Sequence, residues 1–217
     1  MTATVIPRRA VSTRNAMWAK ELACWLGRAG LRPNSVSVAS IVFAAGAAAG
    51  FLIVPDLTGG YRAAALVLAA AAIQCRLLCN LLDGMLAVEE GFRTACGDIY
   101  NDLPDRIADI MILVGAGYGC RLPIGPPLGW LAALAAVLTA YVRLLGGSLG
   151  VTQHFVGPMA KPHRMFTLTV ASLAAAVQSL FGWPGDALFV GLVVIVAGSV
   201  ATTWRRTQRI ARELEAR

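Results

Sequence analysis

Apolar residues in this chain come in long unbroken runs, not in the short alternations of a half-buried strand. Six runs read as membrane spans: Ser35–Val54, Ala63–Leu82, Leu103–Cys120, Leu128–Leu145, Phe166–Phe181 and Leu188–Trp204. A spanning helix needs about 20 apolar residues. The runs are continuous and Ala-rich, which argues against the alternating pattern of a transmembrane barrel. Ahead of them, Asn15–Leu31 sets Met17, Trp18, Leu22, Trp25 and Leu26 at helical spacing opposite Arg14, Lys20, Glu21 and Arg28. That is the pattern of an amphipathic helix lying in the membrane interface. Arg32-Pro33-Asn34-Ser35 then predicts a break and a cap before the first span. The predicted fold is an all-α integral membrane protein with six transmembrane helices preceded by an interfacial amphipathic helix. Its parts are an N-terminal region over residues 1–33, a transmembrane domain over 34–204 and a basic tail over 205–217.

Composition agrees with the pattern. Of 217 residues, 57% are hydrophobic and 14% are charged, against about 25% charged in soluble domains. Mean hydropathy is +0.65. Most soluble enzymes, disordered chains and nucleic-acid binders are excluded, although a net charge of +7 suggests the last of these. The charge follows topology instead. Arg8, Arg9, Arg14, Lys20, Arg28 and Arg32 precede the first span, and Arg205, Arg206, Arg209, Arg212 and Arg217 follow the last. Arg93 follows the second span, and Lys161 and Arg164 follow the fourth, whereas the opposite connections hold little besides Arg62 and Arg121. The positive-inside rule puts both termini in the cytoplasm, where basic segments meet anionic lipid. No nucleic-acid partner is expected.

Residues Met1 to Lys20 lack the apolar core of a signal peptide, so the first span is expected to anchor and target the chain. The five cysteines, Cys24, Cys75, Cys79, Cys96 and Cys120, form neither a disulfide framework nor a zinc-type spacing. They are expected to be small packing residues. Gly46 and Gly50, like Gly115 and Gly119, are spaced as small-residue packing motifs.

The chemistry lies where the acids cluster. Seven of the twelve, Asp83, Glu89, Glu90, Asp98, Asp102, Asp105 and Asp109, fall within residues 83–109. Asp105 and Asp109 lie inside a predicted span, where a carboxylate is costly unless it faces a wet cavity, a cation or a partner. At 100° per residue, Asp98, Asp102, Asp105 and Asp109 fall within about 60° of one another, and Asn101 extends that face. Asn80 and Asp83 share one face at the end of the second span. Two helices thus turn oxygen ligands toward one point, a donor set suited to Mg²⁺, Mn²⁺ or Ca²⁺. The competing reading is a set of structural ion pairs with Arg76, Arg93 and Arg106. Four acids on one face outnumber those three arginines, which favours the cation site. Pro104 is expected to kink the third span beside Asp105.

The stretch Asn80-Leu-Leu-Asp83-Gly84-Met-Leu-Ala87-Val88, an eight-residue gap, and Gly97-Asp-Ile-Tyr-Asn101-Asp-Leu-Pro-Asp105 resembles the CDP-alcohol phosphatidyltransferase signature, D-x-x-D-G-x-x-A-R-x8-G-x-x-x-D-x-x-x-D. Every spacing is kept. Asp83, Gly84, Ala87, Gly97 and Asp105 match, whereas Asn80 and Asn101 stand for aspartates and Val88 for arginine. The resemblance implies a membrane phosphotransferase of phospholipid biosynthesis. Such an enzyme moves a phosphatidyl or related phosphoalcohol group from a CDP-linked donor, best guessed as CDP-diacylglycerol, to an alcohol acceptor and releases CMP.

Carried over by position, Asn80, Asp83, Asn101 and Asp105 are metal-ligand positions for two divalent cations, Mg²⁺ or Mn²⁺. Asp105 is also at the place of the general base. Asp83, Gly84, Ala87 and Gly97 are nucleotide-binding positions, Gly84 and Ala87 being small enough for close approach. Arg143, Lys161 and Arg164 are candidates for contact with acceptor or donor phosphate. The Asn-for-Asp exchanges leave three readings open: one tight and one loose metal, added ligands from Asp98 or Asp102, or an inactive family member acting as a membrane scaffold. A cation transporter is a more distant alternative. The resemblance also implies a homodimer. The expected location is a bacterial inner (cytoplasmic) membrane, with the site on the cytoplasmic side among membrane lipids.

Overall fold

In lipid a chain can satisfy its backbone N–H and C=O groups only within its own segment or a closed barrel, and here each apolar run is helical. The computed structural model of the chain describes residues 17–89, 97–151 and 157–217, with backbone only at 87–89, 97, 98, 100 and 101. Its helices are α1 (Met17–Arg28), α2 (Pro33–Ile53), α3 (Gly59–Glu89), α4 (Gly97–Tyr118), α5 (Gly125–Ser148), α6 (Lys161–Phe181) and α7 (Ala187–Glu215). A 3-10 turn over Val54–Asp56 prolongs α2. There is no strand among the described residues.

Among the described residues, five helices, α2, α3, α5, α6 and α7, are long and apolar enough to cross a membrane. The helix α4 has the length, 22 residues, but Asp98, Asp102, Asp105, Arg106 and Asp109 leave it too charged to qualify on composition. Packing places it among the others nonetheless. The helices α3 and α4 flank α2, α5 joins α4 to α7, and α6 joins α7 to α3. Six helices therefore close a ring in the order α2, α4, α5, α7, α6, α3. Its interior is filled largely by alanine, with Phe51, Leu66, Ile73, Ile112, Leu113, Met165 and Leu188 among the large buried side chains.

Glycine brings α4 close to both neighbours. A Cβ at Gly115 would lie 2.8 Å from the Ala48 Cα of α2, and one at Gly117 would lie 2.8 Å from the Gly129 Cα of α5. Gly119 and Gly50 are also in contact with neighbouring helices, as the small-residue spacing predicts. Gly46 is not: a Cβ there meets nothing within 4 Å. A polar helix is thus gripped by backbone-to-backbone packing, the mode open to helices in lipid.

At the end of the ring remote from Asp83 and Asp105, the Arg62 guanidinium donates to the carbonyls of Val54, at 2.8 Å, and Gly119, at 3.4 Å. It thereby satisfies chain ends that follow α2 and α4. Asp186 caps α7 through the Phe189 amide, 3.2 Å away. The predicted break before α2 is present, but the cap is not: Arg32 is the N-cap residue without a side-chain hydrogen bond, and Pro33 opens the helix. Proline suits that position because its missing N–H has no helical partner there anyway. The helix expected in the interface is α1. It rests Ala19 and Ala23 on α3, while Trp18 and Trp25 stay exposed. Of the cysteines, Cys79 and Cys120 are buried, Cys24 is half-buried and Cys75 is exposed, so Cys75 is not an interior packing residue. Cys96 lies outside the described residues. The helix α4 runs on through Pro104.

The glycine contacts predict a contrast. Gly117→Val should lower stability by about 1–3 kcal/mol through overpacking. Gly46→Ala, in open space, should be neutral or stabilising by up to about 1 kcal/mol. Thermal unfolding of the two variants in one detergent checks both.

Candidate active site at one end of the helix ring

Asp102, Asp105 and Asp109 recur at i, i+3 and i+7, so they line one face of α4. Their side-chain exposure falls from 29% to 11% to 1% along that order. The acidic face therefore runs from the start of the helix into the ring.

Asp109, the deepest, is held from two sides. Arg76 of α3 donates to its Oδ1 at 2.8 Å, and Arg164 of α6 donates to its Oδ2 at 2.9 Å. Both arginines are buried, and each carboxylate oxygen thus meets a charged donor, the strong class of hydrogen bond. Arg164 also donates to Thr139 Oγ1 at 3.2 Å and to the Met159 carbonyl at 3.1 Å. The Thr139 carbonyl in turn accepts from Arg206 of α7 at 2.7 Å. This network draws on α3, α4, α5, α6 and α7.

One turn nearer the surface, Asp105 receives the same Arg76 Nη2, at 3.4 Å to Oδ1 and 3.2 Å to its carbonyl. Its Oδ2 pairs with Lys161, and Arg106 lies 3.8 Å from that oxygen. Asp102 Oδ1 accepts from Arg143 of α5 at 3.0 Å, with Arg106 at 3.8 Å. Across from these, Asp83 of α3 is buried, and Ser37 of α2 donates to its Oδ2 at 2.5 Å. Its Oδ1 is buried with no hydrogen-bond partner, and so is the amide nitrogen of Asn80 three residues earlier. Asp83 lies within electrostatic reach of both Asp105 and Lys161.

The structure therefore brings Asn80, Asp83, Asp105, Arg143, Lys161 and Arg164 to one end of the ring. Gly84 follows Asp83 on α3 and is half-buried. Asn101, Ala87 and Gly97 have described backbone only, and Asp98 likewise; Arg93 lies outside the described residues. Among the described residues no group of three or more His, Cys, Asp or Glu side chains is arranged to hold a metal ion. The sequence argument that the acids outnumber their arginines needs correcting. Cations also arrive from α5 and α6, so that Arg76, Arg106, Arg143, Lys161 and Arg164 pair with Asp102, Asp105 and Asp109.

Three partners escaped the sequence reading. Ser37 and Thr139 sit in small-residue runs without any local mark. Arg206 read as part of the basic tail, yet it is buried. Its signal was periodicity, since Thr202, Arg206 and Ile210 recur at every fourth residue and all three are buried.

The difference in burial predicts a difference in cost. Arg164→Met should lower stability by about 3–5 kcal/mol, because it leaves a buried carboxylate short of a partner. Arg106→Met, at the partly exposed rim, should cost at most about 1 kcal/mol. Unfolding midpoints of both variants measured side by side test this.

No family model matches the chain. A curated relative, the archaetidylinositol phosphate synthase of Methanothermobacter thermautotrophicus, is 28% identical over 146 residues, covering 67% of this chain and 72% of the relative. Among solved structures, phosphatidylinositol phosphate synthase of Mycobacterium tuberculosis superposes with a TM-score of 0.73 in its complex with manganese and citrate. That match has 21% identity and covers 88% of each chain. The same enzyme with CDP-DAG bound gives a TM-score of 0.71 at 21% identity, over 90% of this chain and 94% of that one. In its helical fold, in the spacing of its signature residues and in its likeness to this relative, the chain is similar to CDP-alcohol phosphatidyltransferases.

Proposed function

We propose that this protein transfers a phosphatidyl group from CDP-diacylglycerol to a phosphorylated alcohol, with release of CMP, at the cytoplasmic face of the membrane. The observation that carries the reading is the pairing, at signature spacing, of Asp83 with Asp105 across α3 and α4. One of these carboxylates keeps a buried oxygen unpartnered, and the other lies one turn below the exposed end of the acidic face, between Arg76 and Lys161. A scaffold that merely kept the fold would gain nothing from an uncompensated carboxylate oxygen, which costs free energy wherever it is buried.

The donor set fits a hard divalent cation, Mg²⁺ or Mn²⁺. Asp83 Oδ1 is the atom such an ion would satisfy, and the Asn80 amide beside it can turn its carbonyl oxygen the same way. Of the two remaining positions at which the family signature supplies ligands, Asn101 and Asp105, the second already has both carboxylate oxygens facing cations. When bound, the cation supplies positive charge to the diphosphate and to the departing CMP.

The chain's own residues account for the rest. The acceptor hydroxyl oxygen bonds to the phosphorus that carries diacylglycerol, and the anhydride oxygen leaves with CMP. The hydroxyl proton passes to the Asp105 carboxylate, and Arg76 fixes that carboxylate's direction by gripping both its side chain and its carbonyl. Lys161, Arg106 and Arg143 are each 20% exposed. A partly exposed cationic rim of this kind suits a phosphate on the acceptor better than a neutral alcohol. The helix α4 is the sixth span in this reading, both chain ends are cytoplasmic, and the protein works as a homodimer in a bacterial inner membrane.

Purified protein with CDP-diacylglycerol, Mn²⁺ and a panel of phosphorylated and plain alcohols should release CMP, fastest with a phosphorylated acceptor. Asp105→Asn should slow release by about 10²–10⁴-fold, the usual worth of a general base. Unaltered release in that variant would remove Asp105 from the chemistry.

A further inference from the structure

We infer that this site holds one divalent cation, bound on the Asp83 side, and that the buried Arg76 guanidinium stands between Asp105 and Asp109 where a second cation would otherwise be needed. The inference deepens the functional reading above and rests on it for the identity of the site.

Charge is the first argument. The signature provides four carboxylates for two divalent ions, and this chain has Asn at positions 80 and 101, so two negative charges are gone. An amide oxygen still ligates a hard cation but does not neutralise it. Two divalent ions would face too few negative charges.

Geometry says where the remaining charge is spent. Both oxygens of Asp109 accept from arginine, Oδ1 from Arg76 and Oδ2 from Arg164. Both oxygens of Asp105 face cations, Oδ1 facing Arg76 and Oδ2 facing Lys161. Asp102 is engaged by Arg143 and Arg106. Among the described residues, only Asp83 of the four forms no ion pair, and its Oδ1 is the one carboxylate oxygen of the cluster that is buried without a partner. The capacity for a cation is therefore localised on α3.

Arg76 is also not a side chain that a metal can easily displace. It is fully buried, and the same Nη2 spans Asp105 and Asp109. Moving it would strip Asp109 of one of its two counter-charges inside the ring, a costly change. A guanidinium is permanently charged, so it repels any divalent ion seeking those two carboxylates. Its Nε and Nη1 are buried and unpartnered in the protein.

The test is a count of bound metal, which does not require turnover. Full-length protein in detergent is titrated with Mn²⁺ alone and again with saturating CDP, and free Mn²⁺ is read by electron paramagnetic resonance. The expected result is one tightly held Mn²⁺ per chain in both titrations. Asp83→Asn should weaken it by about tenfold or more, and Asn80→Ala by a smaller factor. Asp105→Asn should keep the single ion while losing CMP release. Two Mn²⁺ per chain in either titration, none in both, or unchanged affinity in Asp83→Asn would each overturn the inference. Circular dichroism and gel filtration establish that the variants are folded, and the wild-type count decides the matter even if one is not. A protein that binds one Mn²⁺ yet releases no CMP would overturn the functional reading and leave the metal count standing.

Discussion

A carboxylate with 1% of its side chain exposed, inside a ring of apolar helices, is the constraint around which this molecule is arranged. Asp109 must be neutralised where it lies, because an ionised group in the bilayer interior is costly without partners. The two guanidiniums that do so come from α3 and α6. Neither is a main packing neighbour of α4, which lies between α2 and α5 in the ring. The ion network therefore crosses the ring, whereas glycine and alanine contacts run around it. One set of contacts fixes how close the helices lie, and the other fixes how α4 is rotated about its own axis.

Rotation matters because the acids share a face. Once Asp109 is clamped, Asp105 must point one turn outward and Asp102 one turn further. The accessible end then offers a carboxylate of defined direction opposite Asp83. A buried ion pair is weak evidence for net stability, since apolar residues of similar size can do as well. Its use here is to specify a register, which a smooth alanine-rich surface cannot do alone. The same guanidinium also reaches Asp105, so one side chain holds two carboxylates of the acidic face.

The spans were legible because lipid demands long apolar helices, and α2, α3, α5, α6 and α7 meet that demand on composition. The helix α4 was legible by length and spacing but fails on composition, because its acids are neutralised by helices distant in sequence. Signature spacing marked Asp83 and Asp105 directly. It could not show that Ser37 would reach Asp83 from 46 residues away, or that Arg206 would reach the Thr139 carbonyl from 67 residues away. Such pairings depend on ring order, which no local pattern encodes. Gly46 errs in the opposite direction: its spacing matched a packing motif, but its face of α2 has no neighbour there. The basic tail misled for a related reason. Arg206 continues the buried stripe of α7, while Arg205, Arg209 and Arg212 around it are exposed.

The claim that Arg76 and Asp109 set the register of α4 is tested most directly by a double-mutant cycle. Reversible unfolding in detergent would be measured for wild type, Arg76→Met, Asp109→Leu and the double variant. The account predicts that the double variant is less destabilised than the sum of the single ones, with a coupling of about 1–3 kcal/mol. Additivity to within about 0.5 kcal/mol would contradict it, because the two side chains would then contribute independently and the register of α4 would have to be set elsewhere.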